Sequence, residues 1–121
     1  MKVLFDPGVK HRIMVCVTPQ KSCERLVERG AARAKETGGQ FVVTYVNKRH
    51  ELNRELKEDK ILLKLFEMAK ANGGNVSILS GEKIYDTLSR FALKNEINQI
   101  IVGKSLRSAI EMSNNGEVIN S

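Results

Sequence analysis

The amino-acid sequence predicts an α/β fold, an open and mostly parallel twisted sheet with helices on both faces. Four short apolar runs, rich in β-branched and aromatic residues, do not alternate strictly with polar residues, which is typical of strands covered on both faces. Helical patterns separate the runs, and strands that alternate with helices form parallel sheets through right-handed crossovers. The runs are residues 13–17, 41–46, 76–79 and 100–102.

The segments between the runs have the apolar spacing of amphipathic helices. Ser22 is a candidate N-cap of the first helix, and the pair Gly38 and Gly39 is its stop signal. The second helix is longer and ends at residues 72–74, and the third opens at residues 80–81. The apolar positions of the three helices are Leu26, Val27, Gly30, Ala31 and Ala34, then Leu52, Leu56, Leu63, Phe66 and Ala69, and finally Ile84, Leu88, Phe91 and Ala92.

The length of 121 residues, with 41% hydrophobic content, predicts one domain over 1–121. Its core is expected over about 12–108, followed by a short tail, 109–121, in which residues 117–120 form a short strand. Apolar stretches reach only about six residues, against the roughly 20 that span a bilayer, and the N-terminus lacks a signal-peptide pattern. We therefore expect a cytoplasmic protein without membrane contact.

A ligand in an open parallel sheet binds outside the carboxyl ends of the strands, where the strand order reverses. Those ends offer hydroxyls, amides, glycine backbone and cations but almost no carboxylate, which disfavours phosphotransfer and a magnesium site. His11 and His50 are interpreted as solvated surface residues, so no nucleophile, base and orienting group come together and we expect no enzyme. The net charge of +6 favours anionic ligands, whereas nothing indicates sequence-specific nucleic-acid binding.

The segment Gly103-Lys104-Ser105 has the letters that end a P-loop, but Asn98 stands where that motif needs its first glycine. A nucleotide-hydrolase P-loop is therefore excluded. The glycine is followed by two cations and two serines, which are Lys104, Arg107, Ser105 and Ser108. Such a segment suits the binding of a phosphate through backbone amides and cations. An ordinary polar turn is the alternative.

The two cysteines have neither metal-ligand spacing nor the pattern of a disulfide framework. Cys16 lies inside an apolar run, and Cys23 lies near the start of the first helix. Cys23 is either a half-buried structural residue or a thiol activated by the helix N-terminus.

The order and spacing of these segments resemble the universal stress protein family, a Rossmann-like fold, and within it the domain of the potassium-sensor kinase KdpD. The resemblance runs over about residues 12–108. It rests on the segments RIMVCV at 12–17, ERL at 24–26, FVVTYV at 41–46, LSG at 79–81, and IVGKS at 101–105 with Arg107 and Ser108.

Typical ATP-binding members of that family have an aspartate after the first strand, where Thr18 stands here. Their glycine signature falls on Gly103, Leu106, Gly116 and Glu117, so its second glycine and final hydroxyl are missing. Members that bind cyclic di-AMP have Ser-x-Ser and, twenty residues later, Phe-Thr-Ala-x-Tyr. Here Thr18-Pro19-Gln20 precedes Phe41-Val42-Val43-Thr44-Tyr45 at the same spacing, with Tyr45 either stacking on a base or packing in the core.

The resemblance implies a regulatory, non-catalytic domain that binds an adenine nucleotide, either ATP or AMP or cyclic di-AMP, in signalling or stress response. It also implies a homodimer and a kinase or other signalling partner. The alternative is a protein-interaction or dimerisation module that has lost nucleotide binding. The ligand-binding residues expected are Thr18, Gln20, Phe41, Tyr45, Gly103, Lys104, Ser105, Arg107 and Ser108. No catalytic residue, metal or obligatory cofactor is expected.

Overall fold

The computed structural model describes residues 4–47, 56–104, 106–107 and 119–120, with backbone alone for residues 56–57 and 119–120. A 3-10 turn, Lys21–Cys23, leads into the first helix. The strands are β1 (Arg12–Cys16), β2 (Gln40–Asn47), β3 (Asn75–Ser80), β4 (Gln99–Val102) and β5 (Ile119–Asn120), and the helices are α1 (Glu24–Thr37), α2 (Leu56–Ala71) and α3 (Ile84–Lys94).

All strand pairs in the sheet are parallel, and the strand order is β3-β2-β1-β4-β5. The four apolar runs are its first four strands, so the predicted parallel sheet is confirmed. Strand β1 is central, with Cys16 beside Thr44 of β2 and Val102 of β4. The strand order reverses between β1 and β4.

Helices cover both faces of the sheet. Successive side chains of a strand point to opposite faces, and in β1 the side chains on both faces are apolar and must be buried. Ile13 and Val15 pack with α1 and α2 in one buried cluster. Met14 and Cys16 pack in a second cluster with α3 and Phe5 of the N-terminal segment. Burial on both faces explains why the run in β1 is continuously apolar.

The ends of α1 follow the sequence signals only in part. Gly38 ends the helix in the left-handed region, with φ of 68°, where glycine is favoured. Ser22 was predicted as the N-cap, which is wrong, because it lies inside the 3-10 turn and Cys23 occupies the cap position without a side-chain cap hydrogen bond. The 3-10 turn continues directly into the helix, so no extended cap residue is needed.

The other predictions for the helix ends and the tail agree with the structure only in part, because the predicted start of the third helix at residues 80–81 is wrong. The second helix ends before residues 72–74 as predicted, while Leu52 lies outside the described residues. The third begins at Ile84 after Lys83, because Ser80 is still the last residue of β3. The short strand expected at 117–120 is the two-residue β5. Within the described residues, every helix is too short or too polar to cross a membrane.

Gly30 allows α1 to lie directly on the central strand. A Cβ at this position would collide with Cγ2 of Val15, and it would contact the ring of Phe41 at 3.5 Å. Val15 is fully buried, so it has no open space into which it could move. The absence of a side chain at Gly30 therefore determines how closely α1 approaches β1.

We predict that Gly30→Ala lowers the free energy of unfolding by about 1–2 kcal/mol. Overpacking of a core costs up to about 3 kcal/mol, which exceeds the roughly 1 kcal/mol that alanine gains over glycine in a helix. Denaturant unfolding measures the change. Val15→Ala removes the obstructing methyl group, so the double variant should be less destabilised than the sum of the two single variants. Simple additivity would contradict the close approach.

Candidate functional site

A cleft of about 490 Å³ opens at the carboxyl ends of β1 and β4. These strands are neighbours on the two sides of the reversal in strand order, so the loops after Cys16 and Val102 separate and leave a gap. Thr18 and Gln20 line the cleft from the first loop, and Gly103 and Lys104 line it from the second. The volume falls in the range of small-ligand sites, which is roughly 300–1,000 Å³.

The loop between β1 and α1 is short and internally hydrogen-bonded. The amide of Gln20 donates to the carbonyl of Thr18 at 2.7 Å, and the amide of Cys23 donates to the carbonyl of Gln20 at 3.0 Å. The hydroxyl of Thr18 also lies 3.7 Å from Sγ of Cys23. These contacts position Thr18 at the rim of the cleft.

The loop after β4 turns immediately into helical backbone. The amide of Arg107 donates to the carbonyl of Gly103 at 2.9 Å, which closes one helical turn. Gly103 packs on α1, since a Cβ at this position would lie 3.8 Å from Cδ1 of Leu26. A strand that ends in a helical turn directs backbone amides toward the space beyond the strand, as in many phosphate sites.

Four of the predicted ligand-binding residues meet in this cleft: Thr18, Gln20, Gly103 and Lys104. Arg107 belongs to the same helical turn but is not among the residues that line the cleft. Ser105 and Ser108 lie outside the described residues.

The structure does not bring Phe41 and Tyr45 into the cleft. Phe41 is only 2% exposed and lies near the amino end of β2, under α1 and against Gly74. Tyr45 is 5% exposed and lines a separate groove of about 270 Å³ with residues of α2 and β3. The odd-numbered residues of β2 face the core under α1 and α2, so both rings are core residues.

Two arginines of the cleft wall were not among the predicted ligand-binding residues. Arg25 and Arg29 of α1 line the cleft together with Ser22, Cys23 and Leu26. The two arginines are four residues apart and therefore lie on one face of the helix. That spacing, in the helix that follows the central strand, was the signal that could have identified them.

The cleft is electropositive. Its described lining contains Arg25, Arg29 and Lys104 but no carboxylate. The neighbouring carboxylate of Glu24 is 3.3 Å from Nζ of Lys64 on α2, and Glu28 lines a different groove. Within the described residues, His, Cys, Asp and Glu form no group able to hold a metal ion. The lining therefore suits a phosphate-bearing anion better than a cation.

The two cysteines of the lining are both buried. Burial raises the pKa of the Cys16 thiol to about 12, and a hydrogen bond with Thr44 partly opposes this shift. Cys23 packs into the core beneath α1 and is 5% exposed. Of the two interpretations of Cys23, this packing agrees with a structural residue.

Solved universal stress proteins are among the structures that share this fold. The chain is similar to a universal stress protein from Archaeoglobus fulgidus, with TM-score 0.70 and 17% identity over 93% of both chains. The same species' protein in complex with dAMP gives TM-score 0.70 and 18% identity, covering 93% of this chain and 98% of that one. A universal stress protein in complex with cAMP gives 0.70 and 16%, covering 93% and 97%.

Comparison by sequence is less informative. No protein-family model matches the chain, and no curated protein matches it. The TM-scores of 0.70 establish a shared fold although the identities are below one in five, so the chain has the fold of universal stress proteins. The predicted fold class is thereby confirmed.

We predict that Cys16 makes the stability fall at alkaline pH. The pKa of the buried thiol is about 12 in the folded protein, whereas the pKa of the thiol in the unfolded chain is near 9.0. The stabilisation is therefore complete below pH 9 and is lost as pH rises from 9 to 12. One pKa unit corresponds to about 1.4 kcal/mol, so the loss is on the order of a few kcal/mol.

Urea unfolding of the wild type and of Cys16→Ala between pH 8 and 11 measures this contribution. The variant has no thiol to ionise, so the difference in stability between the two proteins should narrow as pH rises. A difference that stays constant over this range would show that the thiol does not contribute to the pH dependence.

Proposed function

We propose that this chain is a regulatory domain that binds an adenine nucleotide in the cleft between β1 and β4 and does not turn it over. One observation carries the proposal: Thr18, Gly103 and Lys104 line the same cleft, at the point where the strand order reverses. A hydroxyl, backbone amides and an ammonium group at one strand edge are the groups that bind phosphate oxygens.

The solved structures support the same conclusion. Two of the similarly folded proteins are complexes, one with cAMP and one with dAMP. Both ligands are adenine nucleotides. The negative charge of such a nucleotide complements the cationic lining of the cleft in the present chain, whose volume lies in the range of small-ligand sites.

Three adenine nucleotides remain candidates: AMP, ATP and cyclic di-AMP. The usual triphosphate site of the family has an aspartate where Thr18 stands and a second signature glycine where Leu106 stands. These two differences argue against a site of that kind in this chain. We propose a domain of the KdpD type, which would act in cytoplasmic signalling with a kinase or another signalling protein. The position of Phe41 and Tyr45 in the core weakens the cyclic di-AMP motif as a guide to the ligand.

A dimerisation module without a nucleotide is the second candidate, and the exposed edge of the sheet favours it. Strand β3 is an edge strand, and its Ile78 is 61% exposed beside Leu63 of α2, which is 59% exposed. Exposed strand edges and apolar side chains invite pairing between subunits. The two candidates are compatible, since a nucleotide-binding domain can also be a dimer.

We predict that Lys104→Ala weakens the binding of AMP by at least about tenfold, or about 1.4 kcal/mol. Hydrogen bonds to charged groups contribute roughly 1.5–3 kcal/mol, partly screened by salt. The melting temperature should stay nearly unchanged, because Lys104 is exposed. Titration calorimetry with AMP, ATP and cyclic di-AMP measures wild type and variant.

Lys60→Ala is the matched control, since Lys60 is exposed on α2 and does not line the cleft. Lys64 is unsuitable because it pairs with Glu24 at the start of α1. Arg107→Ala should have a smaller effect than Lys104→Ala. Equal losses from Lys60→Ala and Lys104→Ala would mean that net charge alone attracts the nucleotide. No heat from any nucleotide would favour the dimerisation module.

We also predict that the chain is a homodimer at high micromolar concentration, which light scattering measures as twice the 13.6 kDa chain mass. If the edge next to Ile78 forms the contact, Ile78→Lys should shift the mass toward the monomer, because a charge there opposes pairing. Glu67→Lys, an exposed change on α2, should leave the mass unchanged. A monomer mass for the wild type would contradict the prediction.

A further inference from the structure

The outer edge of β3 lacks the features that usually keep the edge of a sheet from pairing. Charged side chains, proline residues and bulges protect many edge strands, and others are very short. Strand β3 spans Asn75–Ser80, and its sequence NVSILS contains neither a charged residue nor a proline. Strand β5, at the other edge, has two residues in the described part of the chain. Of these two edges, β3 is the one suited to pairing with a further strand.

Helix α2 carries a row of four residues beside this edge, which we call the edge row. It consists of Asp59, Leu63, Phe66 and Lys70. Its members are four, three and four residues apart, so they lie on one face of the helix. The first three line the same groove as Ile78 of β3, and both Leu63 and Ile78 are exposed. Along the helix, the edge row is therefore acidic, apolar, apolar and basic.

The edge row is complementary to itself when two copies of α2 run antiparallel. A two-fold axis midway between Leu63 and Phe66 places Leu63 opposite Phe66 of the partner subunit. The same axis places Asp59 opposite Lys70 of the partner subunit, because both pairs are centred on the same point of the helix. In a two-fold dimer the same surface patch of both copies forms the contact. An apolar centre between two pairs of opposite charges thus fits a second copy of this chain.

The spacing of strands in a sheet brings the two helices to packing distance. Helix α2 contacts both β2 and β3, and Tyr45 of β2 and Ile78 of β3 line the groove beside it. Neighbouring strands are about 4.8 Å apart. When the β3 strands of two copies pair, a helix that lies over β2 and β3 is two strand spacings, or roughly 10 Å, from its counterpart. Packed helices are roughly 8–10 Å apart, so strand pairing and helix packing can occur together.

We infer that two copies of this chain pair antiparallel along β3 into one continuous sheet, with α2 packed against α2 of the partner subunit. Ile78 then lies at the two-fold axis, opposite Ile78 of the partner subunit, and is covered by both helices. The inference rests on the homodimer predicted with the proposed function and adds its interface. Strand β2 separates β3 from the strands that form the nucleotide cleft, so the interface leaves the cleft open.

Disulfide crosslinking tests the strand pairing. Both native cysteines are buried, so a cysteine introduced at the surface supplies the accessible thiol. Residues directly opposite in antiparallel strands have Cα atoms about 4.5–5.5 Å apart, which is within the range of a disulfide. Ile78→Cys should therefore form a covalent dimer with oxidised glutathione, seen on a non-reducing gel. Leu93→Cys, at an exposed position of α3, is the matched control and should stay a monomer on the gel.

Exchange of the end charges tests the contact between the helices. Lys70→Asp places carboxylates opposite each other at both ends, so it should raise the dissociation constant of the dimer about tenfold in analytical ultracentrifugation at low salt. Asp59→Lys with Lys70→Asp restores opposite charges and should return the constant to within about threefold of the wild type. Lys60→Asp makes the same charge change at an exposed position of α2 outside the edge row, and it should leave the constant unchanged.

Equal crosslinking of Ile78→Cys and Leu93→Cys in a dimeric protein would overturn the β3 interface and leave the homodimer standing. Equal weakening by Lys60→Asp and Lys70→Asp, or no recovery in the double exchange, would overturn the contact between the helices. A monomeric wild type would overturn the homodimer and this interface together. Circular dichroism confirms that each variant is folded.

Discussion

The structure depends on the burial and pairing of the central strand. Strand β1 pairs with β2 along one edge and with β4 along the other, and Ile13, Met14 and Val15 are at most 1% exposed. Because a strand has two edges, only two other strands can pair with β1. Each of its two apolar faces must be covered by a layer of helices. The chain proceeds from β1 to β2 on one side and reaches β4 on the other. The cleft is the gap that this reversal leaves.

The placement of α1 connects the core with the cleft. Close packing at Gly30 holds the helix against Val15, and at its N-terminal end Leu26 lies beneath Gly103. These two contacts also determine which face of α1 is buried. The face that carries Arg25 and Arg29 then lines the cleft. The electrostatics of the cleft thus follow from apolar packing several residues away.

The cleft combines a buried floor, which includes Cys16 and Leu26, with a charged rim. The raised pKa of Cys16 reflects how completely the end of β1 is removed from water. Charges next to a low-dielectric surface act on a ligand more strongly than charges in open solvent. A cationic rim over such a floor is suited to an anion that presents an apolar ring to the floor and phosphates to the rim. A nucleotide has this division of polarity.

The sequence alone determined the fold class, the four strands and the location of the cleft, because apolar runs in alternation with helical patterns permit few topologies. It also identified Thr18, Gln20, Gly103 and Lys104, since residues directly after a strand must lie at its carboxyl end. Only the tertiary structure decided which helix face closes the cleft, and so revealed Arg25 and Arg29. It also placed Phe41 and Tyr45 in the core, because the direction of a strand side chain depends on register against neighbouring strands and on the helices packed above them.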